Sequence, residues 1–71
     1  MQEEYNVQYS MILKRLKLLK LRSMHETFLT DSYLPSIDKL LKELDWRYSE
    51  GKQLDSVDCD VESLESRFIY N

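Results

Sequence analysis

Apolar residues recur along this chain in steps of three and four. Tyr9, Ile12, Leu13, Leu16 and Leu19 follow that spacing, and at about 100° per residue they share one face of an amphipathic helix. Met11, Leu18 and Leu21 fall on a different side of the same segment. This first helix is therefore apolar on two faces, with cations between them. Either it is central in a bundle, or one face meets a partner.

The pattern then changes phase. Ser23, Met24, His25 and Glu26 read as a capping box, in which the Ser23 hydroxyl accepts from a free backbone N–H and Glu26 reaches back. That would end the first helix near Arg22 and begin a short second one, with Met24, Phe28 and Leu29 as its apolar contacts. Thr30 to Ser36 reads as a loop, because Pro35 lacks an N–H and biases Leu34 away from helix, while Asp31, Ser32 and Ser36 favour turns and caps. With Ser36 as N-cap, Ile37, Leu40, Leu41, Leu44 and Tyr48 keep helical spacing, and Gly51 suits a left-handed C-terminal cap. Leu54, Val57, Val61, Leu64 and Phe68 then step by three and four along a last helix, whose start is open between Asp55, Asp58 and Asp60. These patterns predict an all-α fold, a small bundle of three to four helices at about 5–21, 24–30, 37–50 and 55–70, with residues 1–71 as one domain.

Composition agrees with that class. One Gly, one Pro, 42% hydrophobic and 32% charged residues oppose both disorder and a turn-rich β architecture. A chain of 71 residues buries only about 60% of its unfolded surface, so its stability is marginal unless something helps. Cys59 is the only cysteine and His25 the only histidine, so neither a disulfide nor a metal staple can form within one chain. A lone thiol fits a reducing compartment and points to the cytoplasm. The chain holds no uncharged apolar run of membrane-spanning length, and its first residues lack the basic start and apolar core of a signal peptide. An unprocessed chain without a membrane partner is expected.

Charge adds a polarity to the bundle. The net charge is −3, yet Lys14, Arg15, Lys17, Lys20 and Arg22 fall between Met11 and Arg22 with no acid among them, whereas five basic and ten acidic residues follow Thr30. Cations along one helix can neutralise phosphates. They are also the ordinary wet flanks of a leucine stripe. The acidic cluster Asp55, Asp58, Asp60, Glu62 and Glu65 fails as a calcium loop, since the sixth position from Asp58 is Ser63, not Gly, and the twelfth is Ile69, not Glu. It reads as a solvated helix face, or as a surface that imitates phosphate and docks a basic partner. Cys59 sits between Asp58 and Asp60 and reads as passive. One His, one Cys and no Gly-rich loop leave little for catalysis. No enzyme, cofactor or metal is expected. Trp46 projects opposite the apolar stripe of its own helix, either under the last helix or as an interface anchor.

Leu16 to Phe28, with its leucines followed by Met24, resembles the opening of the IstB-like insertion-sequence transposition helper ATPases. Leu40 to Lys52 is similar to the next helix of that family, in which an acidic residue, sometimes followed by Trp, precedes basic positions. Together the two stretches span about half of the chain. There is no P-loop or ATPase domain, and Asp55 to Glu65 is acidic where that family continues basic. The resemblance implies an isolated N-terminal helical module that contacts a transposase, DNA or neighbouring subunits, with Lys14, Lys17, Lys20, Arg22 and Trp46 as the positions concerned.

The functional expectation is a non-catalytic interaction or regulatory module. Met11, Lys14, Arg15, Lys17, Leu18, Leu21, Arg22 and Trp46 would meet a protein partner, and dimerisation is also open. A DNA-associated accessory would instead bury Met11, Leu18 and Leu21 beneath an open stripe of cations. An acidic mimic or antitoxin-like binder would act through Asp55, Asp58, Asp60, Glu62 and Glu65.

Overall fold

The computed structural model describes the backbone of residues 2–25 and 27–70, with side chains over 3–24 and 34–67. Three helices follow in order, α1 (Gln2–His25), α2 (Thr27–Glu50) and α3 (Asp55–Tyr70), and no strand occurs among the described residues. α1 contains neither Gly nor Pro, and Glu3 and Glu4 in its first turn complement the positive helix start. It turns back on α2 as an antiparallel hairpin, and α3 packs on both. The particle measures 40 × 19 × 16 Å.

The periodic residues form the core. Ile12, Leu16 and Leu19 of α1, Ile37 and Leu44 of α2, Leu54, and Val57, Val61 and Leu64 of α3 are all buried, with Tyr9, Leu13, Leu40 and Leu41 packed against them. Gly51 has φ +69°, as expected of a left-handed cap. Its N–H reaches the Tyr48 carbonyl at 3.3 Å and the Lys52 N–H reaches the Arg47 carbonyl at 2.8 Å, the paired bonds of a Schellman ending. Tyr5 ties α1 to this turn, its hydroxyl lying 2.6 Å from the Lys52 carbonyl and 3.1 Å from that of Arg47. Tyr48 stacks between Tyr5 and Tyr9, with ring centroids 5.5 and 3.9 Å away. The Tyr9 hydroxyl donates to Asp45 at 2.9 Å.

The middle of the chain departs from the expected boundaries. Residues 24 and 25 of the helix expected at 24–30 belong to α1, whereas residues 27–30 open α2, which runs on through the helix expected at 37–50, so the expected loop from Thr30 to Ser36 lies inside α2 with Pro35 at an interior position. Ser36 is thus no N-cap. Proline's fixed φ of about −65° is itself helical, so Pro35 costs a hydrogen bond to the Asp31 carbonyl and some crowding without forbidding the conformation. Local breaker signals are weak priors that tertiary context overrides. Ser23 is likewise no cap: it is fully buried on the core face of α1, which runs on to His25. The other half of the expected capping box, Glu26, lies outside the described residues, as do the side chains of His25, Phe28, Leu29 and Phe68. Met24 is 60% exposed and supplies no core contact of the kind expected.

Candidate partner-docking site

α1 carries a second apolar stripe on nearly the opposite side from its buried face. Val7, Met11, Leu18 and Leu21 are 52%, 59%, 61% and 54% exposed. Their spacing of four, seven and three residues keeps them in line, with exposed Lys14 in the gap. Among the described residues, α1 buries Ile12, Leu16 and Leu19 in the core with Tyr9 and Leu13 packed against it, while the second stripe stays more than half exposed. Exposed apolar side chains scattered singly are ordinary, whereas an aligned row on one helix is the kind of surface that meets a partner.

Within the chain, Arg15 of the basic run meets the acidic cluster and Lys20 meets α2. The Arg15 guanidinium donates to Asp58 at 2.6 Å and to Glu65 at 2.5 Å, bridging α1 to α3. Its pKa is raised further, chiefly by the hydrogen bond to Glu65, against the opposing cost of burial and with Asp58 adding to the rise. Gln8 donates to Asp55 at 2.9 Å, and Lys20 pairs with Asp38 of α2 at 3.1 Å. Asp60 and Glu62 are exposed, as are Lys14, Lys17 and Arg22, and Arg22 is engaged in an interaction of its own. Of the expected basic docking residues, Arg15 therefore serves as a strut between helices. Three of the five acids of the expected acidic surface, Asp55, Asp58 and Glu65, are turned onto α1.

Arg15 also divides the seam between α1 and α3. On one side an open groove of about 520 Å³ is lined by Glu3, Glu4, Val7, Met11 and Asp58 among others. On the other a smaller hollow of about 180 Å³ is lined by Leu18, Leu19, Arg22 and Glu65. Both open onto the exposed stripe.

Trp46 is 53% exposed on α2, so the last helix does not bury it. The Lys52 ammonium stands 6.0 Å from its ring centroid, a weak cation–π contact at an exposed site. Trp46 and the α1 stripe each point away from the shared core on different helices, so they are two patches and not one face. Sequence reasoning missed Val7 and Met24 as exposed apolar residues of α1. Val7 was legible, because it lies four residues before Met11 in the same repeat.

Among the described residues Tyr9 is also perturbed. Its hydroxyl is held above the ordinary tyrosine value, first by the hydrogen bond to Asp45, then by burial and by the charges of Asp45 and Tyr48. Among the described residues no group of three or more His, Cys, Asp or Glu is placed to hold a metal ion, Cys59 is free and exposed, and no helix is long and apolar enough to cross a membrane. Comparison with protein-family models, with curated proteins and with solved structures gives no match.

Proposed function

We propose that this chain is a non-catalytic helical interaction module that docks a macromolecular partner through the outer face of α1, with Trp46 as a second point of contact. The observation that carries this reading is the row Val7, Met11, Leu18 and Leu21, more than half exposed on a helix whose opposite face already supplies the core. A DNA-associated role asks for these residues to be buried under an open cationic stripe. Their exposure, together with the use of Arg15 and Lys20 in internal ion pairs, favours a protein surface. An acidic-mimic role is weakened in the same way, since Asp58 and Glu65 are spent on Arg15. The resemblance to the N-terminal module of transposition helpers is in keeping with contact rather than chemistry.

The test is affinity capture of the tagged chain from its native extract, with nuclease treatment and a salt titration. Wild type is compared with Leu18→Glu and with Lys14→Glu/Lys17→Glu. A protein retained by wild type through nuclease and moderate salt, and lost with Leu18→Glu, supports the proposal. Nucleic acid recovered only at low salt, and lost with the double charge reversal but not with Leu18→Glu, overturns it.

A further inference from the structure

We infer that the occupant of the α1 outer stripe is a second copy of this chain, paired antiparallel through α1 about a two-fold axis near Met11 and Lys14. The inference rests on the docking reading above and deepens it. The stripe has an electrical direction: Glu3 and Glu4 stand in its first turn, while Lys14, Lys17 and Arg22 lie along its later half. A uniformly acidic partner or a nucleic acid would be repelled at the first turn. A parallel copy would set Glu3, Glu4, Lys17 and Arg22 each against its own counterpart. The same helix turned end for end meets each end with the opposite charge, which is the self-complementarity an isologous dimer requires.

The apolar register agrees with the charge. The positions 7, 11, 14, 18 and 21 step by four and three, the repeat that keeps a seam facing a neighbouring helix. Turned antiparallel so that its layers coincide, the seam sets Val7 level with Leu18 of the second copy, and Met11 level with its Lys14. Glu4 then stands beside the turn of the second copy that holds Leu21 and Arg22. Lys14 is the one misfit, since the axis brings its two copies, like charge to like, within about 5 Å along the seam. Its stem can cover apolar surface while its ammonium escapes to the edge, and a charged residue in such a seam fixes register at a cost in stability.

That misfit separates this pairing from every phosphate-directed role. Sedimentation equilibrium of the full chain is run from about 5 to about 500 µM, the range in which a small helical seam associates. Wild type should dimerise, Leu18→Glu should weaken the dimer at least about thirtyfold, and Lys14→Leu should tighten it roughly tenfold. Leu18 and Lys14 are exposed, so both variants should keep the wild-type helical signal. Orientation is read by bismaleimide cross-linking in a Cys59→Ser background. Antiparallel pairing brings the two copies of Met11→Cys to about 5 Å along the axis and leaves those of Leu18→Cys about 16 Å apart, so only the first should cross-link.

A dimer untouched by Leu18→Glu, a Lys14→Leu variant that associates no better than wild type, or cross-linking at position 18 in preference to 11 overturns the inference. So does a chain that stays monomeric throughout. In that last case the capture experiment decides the broader reading separately: a Leu18-dependent protein partner leaves it standing, and its absence removes both.

Discussion

Leu16 and Leu18 are two residues apart on α1 and chemically identical, but Leu16 is 0% exposed and Leu18 is 61% exposed. Truncating each to alanine is therefore a measurement of which face the bundle uses. Leu16→Ala removes three buried carbons and leaves a void among Ile12, Leu19 and the valines of α3, for a cost of about 3 kcal/mol within a range of roughly 2–5. A chain of this length has roughly 4–10 kcal/mol of stability in all, so the midpoint should fall by at least about 12 °C. Leu18→Ala removes the same atoms from water-facing positions, and alanine is slightly the better helix former, so its effect should stay within about 0.5 kcal/mol. Urea unfolding followed by circular dichroism at about 2 µM chain keeps any self-association out of the comparison. A Leu18→Ala cost above about 1.5 kcal/mol, or a Leu16→Ala cost below about 1 kcal/mol, would refute the assignment of faces.

Arg15→Met should cost about 1–2 kcal/mol, because the Arg15, Asp58 and Glu65 side chains are 31%, 42% and 30% exposed and solvent screens much of the two ion pairs. A double-mutant cycle with Glu65→Gln that gives no coupling would contradict the strut. Pro35→Ala should stabilise the chain by about 1–3 kcal/mol in the same urea assay, since it restores an N–H to the Asp31 carbonyl in the interior of α2; an unchanged or lower stability would mean that α2 depends on the proline. Tyr9 is held in its neutral form by the fold, and a raised acid pKa gives stability that is present below the unfolded value of about 10 and lost as pH rises through the folded one. Tyr9→Phe should flatten that alkaline loss, and an unaltered pH profile would count against the Asp45 contact.

The all-helical class and the core were legible because a repeat of three and four is a local property of the chain. Ile12, Leu16, Leu19, Ile37, Leu44, Val57, Val61 and Leu64 are buried where the pattern places them, and Gly51 caps α2 as its identity suggests. The stretch Thr30 to Ser36 was misread for an equally physical reason. Pro35, Asp31, Ser32 and Ser36 each favour a turn in isolation, but α2 runs through them from Thr27 to Glu50 and buries Ile37 and Leu44 beyond them. The two-faced character of α1 was visible in the sequence, but how its charges are spent was not. Arg15 lies 43 and 50 residues from the two acids it binds, and no local period carries that information. Within what read as a basic run facing an acidic helix, Arg15 with Asp58 and Glu65, joined by Gln8 with Asp55, forms polar contacts of the seam between α1 and α3.

The most direct test of the α1 outer face as a docking surface is a concentration series of methyl NMR spectra, with Met, Leu, Ile and Val methyls labelled in the full chain. The Met11, Leu18 and Leu21 methyls should shift together as the dimer forms, while those of Leu16, Leu44 and Val61, buried in the core, stay in place. Shifts confined to the surroundings of Trp46 or to the exposed face of α3, or a spectrum indifferent to concentration and to captured partner alike, would contradict the assignment of α1 as the surface through which this protein works.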